Sequence, residues 1–192
     1  MPRLNPAALV DYHMHSTLSP DAFDTPQALA QAARQMGLTE IGISEHLDTD
    51  PKDAGYGKYD EAAVDRELAA AQALRGHLDY AFGSILFIDR LVTNGEYMAQ
   101  HGREETYRRY MADALRLVRT GLFDILGHFE YIRRYDAENG TLYNPQDYAD
   151  EIDAVLKEVI AHNMVLEVNT SGLRRPGKHT YPCRWTLERY RE

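Results

Sequence analysis

Short apolar segments that end in histidine, separated by helical patterns, are the feature that most constrains the fold of this chain. The apolar segments are 8–10, 40–44 and 123–127, and the histidines that follow them are His13 with His15, His46, and His128. Strands that alternate with helices pair in parallel. In such folds the C-terminal ends of the strands collect functional groups. The pattern therefore predicts an α/β fold that gathers these histidines on one face.

Apolar periodicity and capping residues predict the remaining elements. Thr25 and Pro26 mark the N-terminus of a helix that Gly37 ends. Further helices are predicted over 60–74, 104–120, 146–162 and 182–192, and further strands over 78–88 and 165–169. The residues of helices 104–120 and 146–162 that we expect to face the core are Tyr107, Tyr110, Met111, Ala114, Leu115, Val118, Tyr148, Ile152, Val155, Leu156, Val159 and Ile160.

Composition and charge narrow the class of protein. A chain of 192 residues, 44% of them hydrophobic, is expected to form a single domain, 1–192, with its own core. A net charge of -9 argues against a protein that binds nucleic acid by neutralising phosphates. The single cysteine, Cys183, fits a reducing compartment, and no stretch is apolar enough for a leader or a membrane span. We expect a cytoplasmic protein that binds neither nucleic acid nor membrane.

His13 and His15 stand two residues apart at the end of the first predicted strand. Side chains at i and i+2 of a strand point to the same side, so both imidazoles are expected to face one point, as ligands of a divalent metal do. Asp21 follows in a turn and adds a carboxylate oxygen. With eight histidines in the chain such a spacing also arises by chance, and a single histidine such as His46 also suits a structural or exposed position. The shared position at strand ends favours a metal site.

The chemistry of such a site is that of a phosphoesterase. Imidazole and carboxylate ligands together suit Zn²⁺, Mn²⁺ or Fe²⁺, and a metal so held lowers the pKa of a bound water. A guanidinium group can donate two parallel hydrogen bonds to two oxygens of one phosphate. Arginine side chains follow two of the predicted strands. They are Arg133, Arg134, Arg174 and Arg175. A solvated rim is the alternative position for each of these arginines.

The motifs resemble those of the polymerase and histidinol phosphatase (PHP) superfamily, and specifically its histidinol-phosphate phosphatases. The matching segments, which span nearly the whole chain in order, are Asp11-Tyr12-His13-Met14-His15 with Asp21, Ser44-Glu45-His46-Leu47, 82–89, Gly127-His128-Phe129-Glu130 and 167–175. The resemblance implies a distorted (β/α)7 TIM-like barrel with metals at its strand ends. It also implies hydrolysis of L-histidinol phosphate, a step of histidine biosynthesis.

The resemblance further implies roles for individual residues. The residues that match metal ligands are His13, His15, Asp21, His46 and His128, and the four histidines among them form the catalytic centre. Arg174 or Arg175 matches a phosphate-binding arginine of the family, and Arg133 or Arg134 is a further candidate.

The chain departs from the family pattern at several ligand positions. A strand carrying a metal-bridging glutamate is expected between Leu74 and Leu78 but is absent, and Leu86 stands where a histidine is expected. The C-terminal motif that supplies an aspartate and a histidine is not reached before Glu192. We therefore expect an incomplete barrel that holds fewer ions than the full family site. Its open sheet edge favours a homo-oligomer.

Several alternatives account for the shortened chain and for its function. The shortening reflects a natural paralogue, a truncated product of an active enzyme, or residues missing from the sequence at Arg75-Gly76. The leading hypothesis for function is hydrolysis of a phosphorylated small molecule. One alternative is a non-catalytic protein that binds a phosphate ligand or serves as a scaffold. Another is a fragment that is not an independent functional unit and dimerises through its sheet edge.

Overall fold

The computed structural model describes residues 9–19, 21–45, 78–88, 91–92, 96–135 and 143–192. The predicted helix 60–74, the Arg75-Gly76 junction and His46 lie outside these residues. Residue contacts divide the chain into two compact units, Met1–Ala73 and Leu74–Glu192, here called the N-terminal and the C-terminal unit. That the whole chain forms one domain stays a prediction.

The described elements of the N-terminal unit are strand β1 (Val10–Met14), helix α1 (Pro26–Met36) and strand β2 (Glu40–Ile43). β1 and β2 pair in parallel, with Val10 opposite Glu40. The Thr25 hydroxyl accepts a hydrogen bond from the Ala28 amide at the start of α1. Gly37 ends the helix at φ 79°, a left-handed conformation that glycine adopts without strain. The predicted β-α-β arrangement and its helix boundaries are confirmed.

The described strands of the C-terminal unit are β3 (Phe82–Gly83), β4 (Phe87–Ile88), β5 (Leu91–Val92), β6 (Ile125–Leu126) and β7 (Val165–Leu166). Its described α-helices are α2 (Met98–His101), α3 (Arg103–Arg119), α4 (Ala149–Ala161) and α5 (Arg184–Arg191). Its described 3-10 helices are Tyr131–Tyr135, Pro145–Tyr148 and Ser171–Arg174. β3, β6 and β7 form a parallel sheet in that order, and β4 pairs antiparallel with β5. Among the described strands there is no closed barrel. None of the described helices is both long and apolar enough to cross a membrane.

The predicted strand 78–88 consists of two shorter strands. β3 pairs with β6 for only two residues, and after residues 84–86 the chain continues in β4, which pairs with β5. The apolar run does not distinguish one strand from two, because the partner strand sets the length of a ladder. β7 is also shorter than the predicted 165–169, and Asn169 instead forms an isolated antiparallel bridge with Tyr181.

Helices α3 and α4 pack against each other and bury most of the apolar residues that the sequence predicts for the core. The buried members of that set are Tyr107, Tyr110, Met111, Ala114, Val118, Tyr148, Ile152, Val155, Leu156 and Val159. Leu115 packs against this core while partly buried. The prediction for Ile160 is wrong, since its side chain is 58% exposed. Val159 takes the inward position, and the next residue of a helix points about 100° away from it.

We predict that Gly83→Ala destabilises the C-terminal unit. A Cβ atom at Gly83 would lie 2.6 Å from Leu117 Cδ2 and 2.8 Å from Phe123 Cγ, closer than van der Waals contact allows. β3 or these side chains must shift, which costs about 1–3 kcal/mol in the free energy of unfolding, measured by urea denaturation. Ser84→Ala, at the exposed next residue, is the control and should change stability by less than about 0.5 kcal/mol. Equal stability of the two variants would contradict the close packing at Gly83.

A second prediction concerns the ion pair between α4 and α5. Asp153 accepts hydrogen bonds from Arg189 Nε at 2.9 Å and from Arg189 Nη2 at 2.7 Å. These bonds lower the pKa of Asp153, against a smaller opposing effect of burial. Because the pKa is lower in the folded than in the unfolded chain, the pair stabilises the fold above the ordinary carboxyl pKa of about 4. The stabilisation is lost as the pH falls through the folded-state pKa.

At pH near 7, Asp153→Asn is expected to lower the free energy of unfolding by roughly 0.5–1 kcal/mol, because the pair is partly exposed. A double-mutant cycle with Arg189→Gln, measured by urea denaturation from about pH 7 down to about pH 3, isolates the pair from the other contacts of Arg189. The coupling energy should shrink on acidification. A coupling that does not change with pH would show that the charge of Asp153 is not its source.

Candidate functional site

His13 and His15 lie at the C-terminal end of β1, His13 within the strand and His15 directly after Met14. Their ring centroids are 5.1 Å apart and the rings are tilted by 34°. The His13 amide donates to Asp11 Oδ1 at 3.0 Å, which holds the backbone at this end of the strand. The two imidazoles are therefore neighbours, as the i, i+2 spacing in a strand leads one to expect.

Asp21 reaches back from the following turn to His15. His15 Nδ1 lies 3.0 Å from both carboxylate oxygens of Asp21. Two ligands that each lie roughly 2.1 Å from one ion, at about a right angle, are also about 3 Å apart. The separation therefore fits a His–Asp hydrogen bond and equally two neighbouring ligand positions around one divalent cation.

The described part of the chain does not hold a complete metal cage. No group of three or more His, Cys, Asp or Glu side chains there is arranged to hold a metal ion. His46, the predicted ligand after the second strand, lies outside the described residues. His13, His15 and Asp21 carry donor atoms of the types that divalent transition metals bind.

Glu45, which follows β2, fastens the loop that carries His15 and Asp21. Its carboxylate accepts hydrogen bonds from the Ser16 hydroxyl at 2.5 Å, from the Ser16 amide at 3.4 Å and from the Ser19 hydroxyl. Both serines are buried, so each needs a partner to offset the loss of water. Burial raises the pKa of Glu45, but the hydrogen bonds from Ser16 and Ser19 outweigh it and the pKa is lowered overall. Glu45 is therefore a charged acceptor at neutral pH.

His128 follows β6 in a turn with positive backbone angles. The φ angle is 28° at His128 and 68° at Glu130, a region that residues other than glycine rarely adopt. The His128 amide donates to Glu167 Oε2, just after the neighbouring strand β7, and Glu167 Oε1 accepts from Asn169 Nδ2 at 3.1 Å. The imidazole lies against the Tyr131 ring, with centroids 4.7 Å apart. Glu167 therefore holds the backbone at His128.

Glu130 is fully buried and binds the start of helix α5. Its carboxylate accepts hydrogen bonds from the Cys183 amide at 2.5 Å and the Thr186 hydroxyl at 2.6 Å. The Tyr143 hydroxyl donates to it at 2.8 Å, and Arg133 Nη1 lies 3.8 Å away. Burial, and after it the negative charge of Glu130, raises the pKa of the Cys183 thiol and of the Tyr143 hydroxyl. Protein donors thus occupy both oxygens of Glu130.

Arg133 and Arg134, predicted to bind phosphate, both lie over tyrosine rings of the C-terminal unit. The Arg133 guanidinium carbon is 5.2 Å from the centre of the Tyr143 ring, and that of Arg134 is 4.8 Å from the centre of the Tyr131 ring. Such cation–π contacts hold a guanidinium in one orientation. Arg133 also forms an ion pair with the buried carboxylate of Glu130, and this pair has a structural role.

Arg174 and Arg175 lie after β7, the neighbour of β6 in the parallel sheet. Arg174 ends the 3-10 helix Ser171–Arg174 and is exposed. The Arg175 amide donates to the Gly172 carbonyl at 3.0 Å. The two predicted arginine pairs therefore follow adjacent strands. Their binding of phosphate, like the metal-binding and catalytic roles of His13, His15, Asp21, His46 and His128, stays a prediction.

Sequence reasoning did not identify the loop-holding roles of Glu45 and Glu167. Each stands at the end of a strand and next to a predicted functional motif, which is the signal that was available. Their partners, however, are distant in sequence. Ser16 is 29 positions from Glu45, and His128 is 39 positions from Glu167. Helix and strand periodicities relate residues a few positions apart and do not pair such groups.

Comparison with known proteins shows the family. The family model described as the PHP domain matches residues 11–72 and 65–171 of the chain, so most of it is covered. A probable phosphatase of Photobacterium profundum is 26% identical over 174 residues, which cover 86% of this chain and 65% of that protein. A probable histidinol-phosphatase of Deinococcus radiodurans is 27% identical over 213 residues, covering 91% of this chain and 78% of that protein. A probable histidinol-phosphatase of Clostridium acetobutylicum is 26% identical over 191 residues, covering 86% and 74%.

The chain spans less than two thirds of the Photobacterium protein and roughly three quarters of the other two. Among solved structures, that of histidinol phosphate phosphatase from Lactococcus lactis, complexed with zinc, L-histidinol and phosphate, matches with a TM-score of 0.70. The sequence identity is 20%, and the match covers 95% of this chain and 80% of that one. This likeness shows the fold, and the α/β prediction and the resemblance to PHP proteins are confirmed.

The contacts of Glu130 generate a stability prediction. Glu130→Gln places an amide NH2 group among donors of the protein, so at least one buried hydrogen bond is lost and one donor is left without an acceptor. The free energy of unfolding should fall by about 2–4 kcal/mol in urea denaturation. Glu104→Gln, which removes the same charge from a side chain that is 76% exposed, is the matched control. If both variants are as stable as the wild type, the hydrogen bonds to Glu130 do not stabilise the fold.

Proposed function

We propose that this chain, which belongs to the PHP domain family, is a metal-dependent phosphomonoester hydrolase. The observation that carries the proposal is the pair of His15 Nδ1 and Asp21, 3.0 Å apart after β1, with the His13 ring as the neighbour of the His15 ring. Similar proteins of Photobacterium and Deinococcus are named a probable phosphatase and a probable histidinol-phosphatase. These names support a phosphate ester as the substrate.

L-histidinol phosphate is the first candidate substrate. Relatives from Deinococcus and Clostridium are named for activity on it, and the matching Lactococcus structure holds L-histidinol and phosphate. Hydrolysis would release L-histidinol and inorganic phosphate. A net charge of -9 disfavours binding of polyanions, so a small ester recognised by local arginines fits this charge better than a nucleic acid does.

His13, His15 and Asp21 would hold the cation, with His46 and His128 as further ligands. Zn²⁺, Mn²⁺ and Fe²⁺ all suit this donor set. A bound divalent cation supplies Lewis-acid stabilisation of phosphoryl charge and a nucleophilic water at neutral pH. Of the chain's own groups, Arg174 and Arg175 after β7 and Arg134 after β6 would bind the phosphate oxygens. Arg133 would contribute charge from its place beside Glu130.

The second candidate function is non-catalytic binding of a phosphate ligand. Two observations favour it. Leu86, an apolar residue, stands where the resemblance calls for a metal-binding histidine. In the described residues, ligand-type side chains do not form a group of three arranged around one ion. This function predicts that phosphate binding persists after chelation of divalent metals, whereas the hydrolase proposal predicts that turnover stops.

The proposal is tested by release of inorganic phosphate from L-histidinol phosphate, with Mn²⁺ or Zn²⁺ added. His13→Ala removes a proposed ligand and should lower the rate at least about 100-fold, since loss even of outer partners of a metal site costs 10–100-fold. A chelator should abolish turnover of the wild type, and added metal should restore it.

His162→Ala is the matched control for this experiment. His162 lies after α4, where its Nδ1 is 3.0 Å from the Glu158 carbonyl, and it belongs to no predicted site. Its variant should keep the wild-type rate. If wild type and His13→Ala give the same background rate, the hydrolase proposal fails, and phosphate binding that survives chelation would then support the second candidate.

A further inference from the structure

Glu45 joins two loops beyond the point where the β1–β2 sheet ends. The last backbone hydrogen bond of this pair runs from the Ser44 amide to the Met14 carbonyl at 2.8 Å. Glu45 is the next residue, and its contacts go to Ser16 and Ser19, in the loop after β1. The pairing of β1 with β2 therefore does not involve the Glu45 side chain. Its carboxylate instead binds the loop after β1.

Both oxygens of Glu45 are used for this contact. Oε1 accepts from the Ser16 hydroxyl at 2.5 Å, while Oε2 accepts from the Ser19 hydroxyl and from the Ser16 amide. The two serines are 0% and 4% exposed, so the bonds are shielded from competing water. Glu45 itself is half-buried, and hydrogen bonds to a charged acceptor are stronger than neutral ones. Glu45 is thus engaged as a fixed acceptor and has its oxygens turned to the loop.

Further hydrogen bonds hold the segment between the serines in one conformation. The Ser19 amide donates to the Ser16 carbonyl at 2.8 Å, and the Leu18 amide donates to the Ser16 hydroxyl at 3.3 Å. His15 directly precedes this segment, and Asp21 follows it by two residues. Hydrogen bonds within residues 16–19 restrict how far apart the flanking side chains lie, and His15 Nδ1 is 3.0 Å from the Asp21 oxygens.

We propose that Glu45 is a positioning residue for the metal site, which holds His15 and Asp21 at the separation of two ligands of one cation by binding Ser16 and Ser19. The inference rests on the proposed function, because it assigns Glu45 to the same site. Residues that orient metal ligands without touching the metal govern its affinity, and their loss typically weakens binding 10–100-fold. A preorganised pair binds more tightly because no ordering of the loop is needed when the cation arrives.

The experiment measures Zn²⁺ affinity of the full chain by competition with a chromophoric chelator. Glu45→Gln should raise the dissociation constant about 10–100-fold. Ser19→Ala removes one hydrogen-bond donor to Glu45 and leaves Glu45, the neighbour of His46, unchanged. It should also raise the dissociation constant. The double variant should bind no more weakly than the weaker single variant, because both changes break one network. Glu104→Gln, an exposed charge on α3, is the control and should bind as the wild type does.

Amide hydrogen exchange of residues 15–21, read by mass spectrometry without metal, is the second measurement. Glu45→Gln should exchange faster in this segment while β1 and β2 keep their protection. If Glu45→Gln does not fold, the milder Ser19→Ala variant carries both measurements. Faster exchange confined to the loop supports the inference, and unchanged exchange overturns it.

The outcomes separate the inference from the proposed function. If the wild type binds Zn²⁺ and Glu45→Gln binds it equally well, the positioning role is wrong and the hydrolase proposal stands. If the wild type binds neither Zn²⁺ nor Mn²⁺, the metal-dependent function fails. The exchange measurement then decides whether Glu45 holds the loop, since it requires no metal.

Discussion

The buried carboxylate of Glu130 is the interaction on which the C-terminal unit depends. A charge removed from water costs several kcal/mol unless hydrogen bonds replace the lost hydration. Tyr143, Cys183 and Thr186 provide these bonds. Helix α5 has no capping side chain of its own at Cys183, so Glu130 satisfies its first amide and adds a negative charge where the helix dipole favours one. One side chain thereby ties the turn after β6, the segment before α4 and the last helix together.

Glu45 and Glu167 follow the same physical rule as Glu130. Each lies after a strand, and each accepts hydrogen bonds from a neighbouring loop that carries a predicted functional residue. Glu167 accepts a hydrogen bond from the His128 amide, and Glu45 accepts hydrogen bonds from the hydroxyls of Ser16 and Ser19. Loops placed on a rigid sheet need such supports to hold functional side chains within a fraction of an ångström. Two carboxylates beside predicted metal-binding residues, Glu45 and Glu167, therefore support loops in this chain.

The sequence predicts the helices of this fold better than its strands. Helix α3, with Tyr107 and Val118 buried, lies within one residue of its expected bounds, because an amphipathic stripe and a closing glycine are local signals. Strand lengths depend on which segment pairs with which, so the break between β3 and β4 was not predictable from an apolar run. For the site, the i, i+2 spacing of His13 and His15 was enough to predict neighbouring rings. The partners of Glu45 were not predictable, because they are brought near only by the parallel pairing of β1 and β2.

A reduced ligand set has a specific consequence for the proposed chemistry. Catalytic zinc sites typically use only three protein ligands and leave a position for water or substrate. A cluster of several ions instead needs carboxylates that bridge them, and the resemblance places that bridging glutamate in a segment that this chain lacks. Under the proposed function, therefore, the lack of that glutamate argues against a multi-ion cluster more strongly than against hydrolysis at a single ion.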